Sequence, residues 1–337
     1  MSNAILMRKL GISVQHQQSV PLLSHFVTST QLFPTLSKQM LFSDPFLAAR
    51  WAQTLEYPME DSAILPRVAQ YAYVVVHDFD RFFAKISYLD FLKEELFKQV
   101  EERQLVDSAV INVARDGVNR MSVAEIAMTL GILDLGPGNN SLMSLLARMP
   151  FEVYLTTSPF TLLEEALVAN GKTGAVSAYY QWYEDEALAE DVDVKHKPSA
   201  EAPLVYHLQG IEAKPESMVL TEDDYFGFFK QLAQDLRNEV QSDNRLPPLI
   251  SGLLGSKSLM LLGYSLYDWS FRSFFRGPFR ESVHRRTTGL TAQFPPAGDE
   301  EQQQKVRDYL NKFFKEDKFD LYWGGVEQFA NELMAAI

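Results

Sequence analysis

The stretch Val153–Leu167 reads VYLTTSPFTLLEEAL. Val153-Tyr154-Leu155 is a short apolar run, the pattern of a strand buried on both faces. Thr156-Thr157-Ser158-Pro159 ends it with small polar side chains and a proline. Leu162, Leu163, Ala166 and Leu167 then recur at helical spacing. A strand, a polar tip and a helix, in that order, form the unit that sets ligand-binding groups at the carboxyl edge of a parallel sheet.

The same alternation extends in both directions. Val20–Leu23, Val176–Trp182, Leu204–Leu208, Ser258–Leu262, Thr287–Phe294 and Phe319–Trp323 read as further strands. Helical spacing marks Asp44–Leu55, Leu65–Val76, Ser141–Met149, Lys305–Phe314 and Val326–Met334. The Val74-Val75-Val76 end of the second of these also fits a strand. Thr221 can cap a helix from Glu222, with Asp224 at the reciprocal position. Phe83, Ile86, Leu89, Leu92 and Leu96 belong to a long helical stretch from Phe79 to Met128, closed by the turn residues Gly136-Pro137-Gly138-Asn139-Asn140. The expected fold is therefore α/β, with a Rossmann-like, mainly parallel sheet. It forms a single domain over residues 1–337, with a helical insertion or cap at 79–140.

Composition narrows the chemistry. The chain has 337 residues and is 46% hydrophobic, enough for a large core. It has no cysteine, which excludes disulfides, thiolate nucleophiles and cysteine–zinc sites. Its histidines show no metal-ligand spacing, so no metal is expected. A net charge of −13 repels phosphate backbones, which makes nucleic acid an unfavourable partner. Ser122–Ile132 (SVAEIAMTLGI) is similar to the first helix and turn of a helix-turn-helix, but the recognition helix would fall on Gly136-Pro137-Gly138. No run is long and apolar enough to span a bilayer, and a secretory signal pattern is absent at the N-terminus, so a cytoplasmic location is expected.

Candidate site residues sit at the strand ends. Ser158 can bind a ribose hydroxyl or a water, or can start the following helix with Pro159. His207 and Gln209 follow the Leu204 strand and, two residues apart, share a face at roughly 7 Å. His207 is either a base or a buried, hydrogen-bonded strand histidine, whereas Gln209 has no useful pKa and cannot take a proton. Gly263 allows close backbone approach and Ser265 can donate to a ribose or phosphate oxygen. Trp323 either packs an adenine or belongs to the core.

Six segments, ILPRVAQY (64–71), VYLTTSPFTLLEEAL (153–167), PLVYHLQG (203–210), ESMVLTEDDYFGFF (216–229), SLMLLGYSLYDWSFRSFFRG (258–277) and YWGGVEQF (322–329), stand in one order. Together the chain resembles the SIR2-like, sirtuin-fold domain of bacterial anti-phage conflict systems. The resemblance implies NAD as substrate or ligand, with Ser158, His207 and Gln209 at the catalytic positions. It places Ser24, Thr157, Gly263, Ser265 and Trp323 at the cofactor. It also implies a protein partner or homo-oligomer. Three strand ends depart from the family pattern. Ser24-His25-Phe26 stands where a Gly-x-Gly loop would admit the pyrophosphate, Ser158 replaces an asparagine, and Gln209 occupies the place of the base. Two readings follow. One is a domain with a degenerate NAD site that acts through a partner or by binding nucleotide. The other is an NAD glycohydrolase that uses His207 as a displaced base and Ser158 to hold ribose or water. The missing cysteines rule out a zinc-dependent deacylase.

Overall fold

The computed structural model describes residues 19–23, 44–103, 106–138, 141–183, 196–237, 245–256, 258–262, 289–293, 298–315, 319–324, 328–329 and 331–332. Seven strands build one sheet: β1 (Ser19–Leu23), β2 (Val153–Thr156), β3 (Val176–Tyr179), β4 (Leu204–His207), β5 (Ser258–Leu262), β6 (Gly289–Gln293) and β7 (Phe319–Trp323). Their order is β3-β4-β2-β1-β5-β6-β7, and every pairing is parallel. The chain first builds away from β1 on one side, then returns to β1's other side with β5. The sheet therefore reverses direction at the β1–β5 pair, a topological switch point.

Burial explains why these segments became strands. β2 and β4 are buried at every position, as central parallel strands covered on both faces must be. β3 is exposed at Val176 and Ser177, which fits its place at the sheet edge. One face carries Tyr154, Val205, Met260, Leu262 and Tyr322, and packs against helices α6 (Leu142–Arg148) and α7 (Leu162–Ala169). The other carries Leu155, Leu204, Tyr206 and Leu261. It packs against α8 (Glu222–Arg237), α9 (Pro248–Ser256) and α10 (Glu300–Lys315). The result is a three-layer α/β/α domain, as the strand–helix alternation implied.

A helical layer lies between β1 and β2 in sequence. It comprises α1 (Asp44–Thr54), α2 (Leu65–Tyr71), α3 (Arg81–Arg103), α4 (Ser108–Gly117) and α5 (Val123–Thr129). Helices from both sides of residue 79 share one apolar core, from Trp51 and Val68 through Leu92 and Phe97 to Ile126. That core also takes in Phe160, Leu162, Met218 and Leu220. The layer thus sits on the carboxyl ends of β2 and β4. Residues Ala72–Val76 form a π-helical turn that continues α2. A strand there fails because Tyr71 and Ala72 keep helical dihedrals, and His77 N–H returns to the Ala72 carbonyl. Ser122 and Glu125 form a reciprocal cap on α5. Among the described residues no helix is long and apolar enough to cross a membrane.

Candidate functional site

The β2 and β4 tips are adjacent, because Thr156 pairs with His207. Beyond the last strand residue of β2 the chain turns on its own small side chains. Ser158 N–H donates to Thr156 Oγ1 at 2.9 Å, and Phe160 N–H donates to Ser158 Oγ at 3.2 Å. These bonds satisfy backbone donors that would otherwise be buried bare. The Ser158 side chain is completely buried. Helix α7 begins later, with Thr161 at its N-cap and no side-chain capping bond. Ser158 therefore closes the turn before the helix and does not cap it.

His207 points from the end of β4 beneath this turn and is fully buried. Its Nδ1 lies 2.7 Å from the Ser158 carbonyl, which can only accept, so Nδ1 carries a proton and donates. Its Nε2 lies 2.6 Å from Glu164 Oε1 on α7. Burial works against the charged ring. The Glu164 carboxylate and its hydrogen bond, the Ser158 carbonyl and Glu212 outweigh that cost, and the net shift of His207 is upward. Both ring nitrogens are engaged, so the ring as placed presents no lone pair to a water. Ser177 Oγ donates to the same Glu164 Oε1 at 2.8 Å. Glu164 Oε2 is buried with no hydrogen-bond partner among the described residues.

Gln209 and Thr157 meet at one cavity. They line a cavity of about 20 Å³ together with Leu47, Tyr88, Leu92 and Phe160 of the helical layer and its contacts. That space holds about one water molecule. Gln209 is held by its backbone, its carbonyl accepting from Val219 N–H at 3.0 Å. The next residue must be glycine. Gly210 has φ +83°, and a Cβ there would stand 2.1 Å from the Ser217 carbonyl oxygen.

Two carboxylates at the tip have no conspicuous motif in the sequence. Glu164 is one of a Glu-Glu pair inside a helix, and only the fold turns it toward His207. Glu212 follows the Gly210 turn. Its Oε2 accepts from Val123 N–H at the start of α5 at 2.9 Å. Burial pushes its carboxyl up to about 7, against the pull of the Val123 N–H, Lys93 and the Thr161 N–H. Nearby Glu165 is also shifted upward, by burial first and then by Glu125 and Glu164.

Trp323 ends β7, with the Arg307 guanidinium 5.5 Å from its ring centre, and packs against the α8–α10 face of the core. Four strand spacings separate β7 from β2, roughly 19 Å. Trp323 is therefore remote from Ser158 and His207. Ser24, Gly263 and Ser265 lie outside the described residues. Their strands end side by side, since Leu23 pairs with Leu262 at the switch point. Among the described residues no cluster of three or more His, Asp or Glu stands together in a way that could hold a metal.

A dinucleotide can be tested against this geometry. The switch point between β1 and β5 is where such folds seat one. At the β2 and β4 tips, by contrast, the polar lining of Thr157 and Gln209 encloses room for a water and not for a nicotinamide ring. The described tips do not fit that half of NAD as they stand.

A parallel, doubly wound sheet with polar tips beside its switch point defines an α/β domain of the kind that holds ligands at the carboxyl edge. Within that class the family is specific: residues 152–318 match the model described as the SIR2-like domain, and the chain carries a SIR2-like domain. The match takes in the Ser158, His207 and Gln209 tips and leaves β1, the helical layer and β7 outside. A comparison with curated proteins found no match.

Proposed function

We propose that this SIR2-like domain binds an NAD-type nucleotide at the β1–β5 switch point and acts through a partner, without cleaving the nucleotide at the β2 and β4 tips. One observation carries the reading: both nitrogens of His207 are spent on the Ser158 carbonyl and the Glu164 carboxylate. The tip's histidine holds the turn in shape, and its neighbour Gln209 cannot take a proton. The resemblance of the six segments to conflict-system domains supports a setting in anti-phage defence.

The test is direct. NAD is titrated into the whole chain by calorimetry, and nicotinamide release is followed over hours. Binding without release is the expected result. Release that disappears in His207→Ala would overturn the reading. A host carrying the gene should also lower phage plating efficiency, and unchanged plating would remove the defence setting.

A second reading is hydrolysis of NAD. The water-sized cavity at Thr157 and Gln209 favours it, because it is a place for an attacking water. It requires the helical layer to move off the tips before nicotinamide can enter. Release that appears only after addition of a partner or phage lysate would support this reading over the first.

A further inference from the structure

We infer that the π-turn at the end of α2 and the first turn of α3 form a docking surface for a basic, amphipathic segment of another protein. This goes beyond the nucleotide reading and stands without it. Val75, Val76, Phe79, Phe82 and Phe83 are exposed by 60, 45, 62, 43 and 56%. They fall within nine consecutive residues, interrupted by His77, Asp78, Asp80 and Arg81, so the exposed apolar side chains are clustered in one short segment. Isolated exposed apolar residues are ordinary, whereas a contiguous group marks an interaction site.

The backbone is arranged to keep these side chains outside. Asp78 and Phe79 have φ of +46° and +62°, a region costly for residues with a Cβ, and a large aromatic there is rare. A π-turn immediately precedes them. Tyr73 and Phe79 brace each other edge to face at 5.6 Å, and Phe82 and Phe83 do the same at 5.7 Å. Strain of this kind persists where the presented surface has a use.

Charge selects the occupant. Of the nearest cations, Lys85 is buried against Asp224, and Arg81 holds its Nε 3.5 Å from Asp224 and its guanidinium over the Tyr73 ring, with its side chain 43% exposed. Asp80 spends one oxygen on the Phe83 N–H. Asp78 and Asp80 outnumber Arg81 at the rim, which leaves the patch with an excess of negative charge on a chain of net charge −13. An anionic membrane and a second acidic copy of this chain are both repelled. A segment with an apolar face flanked by Lys and Arg satisfies both the aromatic surface and the rim.

The experiment uses the full chain and a fluorescent Leu/Lys amphipathic peptide, followed by anisotropy, with a Leu/Glu peptide of the same pattern as the comparison. The Leu/Lys peptide should bind and the Leu/Glu peptide should not. Phe79→Ser/Phe83→Ser should weaken binding at least tenfold with an unchanged melting temperature, since both rings are exposed. Val75→Ser/Val76→Ser should weaken it as well and serves if the first variant melts early. Asp78→Asn/Asp80→Asn should weaken it and flatten its salt dependence. Val113→Ser, an equally exposed residue on α4, should have no effect. Equal binding of both peptides, or binding indifferent to the patch variants, would overturn the proposal. So would a concentration-dependent dimer, or flotation with neutral phosphatidylcholine vesicles, that is lost in Phe79→Ser/Phe83→Ser.

Discussion

Among the described residues, two buried cation–carboxylate pairs hold helices at the sheet tips, and they are built differently. Lys85 on α3 meets Asp224 on α8 at 3.3 Å, with both side chains wholly buried. Asp224 Oδ2 also accepts from the N–H groups of Leu220 and Thr221, and Asp224 N–H in turn donates to the Thr221 hydroxyl oxygen. Lys85 donates to the Glu216 carbonyl and lies 5.8 Å from the centre of the Trp182 ring. This pair is surrounded by fixed partners. His207 and Glu164 meet at 2.6 Å. Among the described residues Glu164 Oε2 and Asp224 Oδ1 are alike buried without a hydrogen-bond partner, but Glu164 remains partly exposed and its cation is a histidine. The first pair is a permanent fastening, and the second is a titratable one at the candidate site. Buried pairs owe their value to such surroundings, because desolvation otherwise cancels the Coulomb gain.

The largest expected effect breaks the first pair. Asp224→Ala leaves Lys85 buried without its counter-charge and bares the N-terminus of α8. A loss of about 3–5 kcal/mol in urea unfolding is expected. Burial already shifts Lys85 downward against the pull of Asp224, so the variant's lysine should shed its proton and the loss should shrink at high pH. A loss under 1 kcal/mol would show that the fastening is ornamental and erase the contrast between the pairs.

A second test concerns Glu212, which stands between the tip and α5. Its carboxyl is raised to about 7 from an ordinary 4.5. The unfolded chain therefore ionises first, and the wild type loses stability as pH rises from about 4.5 to 7. Each unit is worth about 1.4 kcal/mol, so the full penalty is about 3 kcal/mol. Glu212→Gln keeps an acceptor for Val123 N–H and never ionises. Its stability relative to wild type should rise across that window and level off above it. Parallel curves at pH 5 and pH 8 would mean that Glu212 is solvated.

The sheet was legible because strands buried on both faces must be apolar at every position, as Tyr154 and Val205 are, and the intervening helices show their spacing. The reciprocal cap at Thr221 and Asp224 could be read for the same local reason. Glu164 and Glu212 could not. Each becomes part of the site only through contacts with residues 43 and 89 positions away, His207 and Val123. Two adjacent glutamates in a helix carry no sign of which faces inward. Ser158 was visible as a departure from the family pattern, but its engagement in the turn depends on Phe160 N–H and on His207 beneath it. The π-turn at Ala72–Val76 was ambiguous because three valines favour strand while the preceding residues favour helix. The chain resolved that conflict by widening the helix, and Val75 and Val76 were left outside.

The smallest effect sharpens the second pair. Glu164→Gln removes the charge beside His207 but keeps an acceptor for Nε2–H and for Ser177. Losing a charge-assisted bond for a neutral one costs about 1–2 kcal/mol. The cost should depend on pH in a fixed direction. His207 is raised above its ordinary 6.5 in the fold. Its contribution is therefore complete below about 6.5 and is lost as pH climbs through the folded value. Wild type and variant should differ most below about pH 6.5 and converge as pH rises through the folded value, measured as the difference in unfolding free energy. Histidine ring resonances followed by NMR should show the His207 titration moving down in the variant. A constant difference across that range would place the neutral ring in the wild type. The free proton site that a base requires would then be restored, and the hydrolytic reading with it.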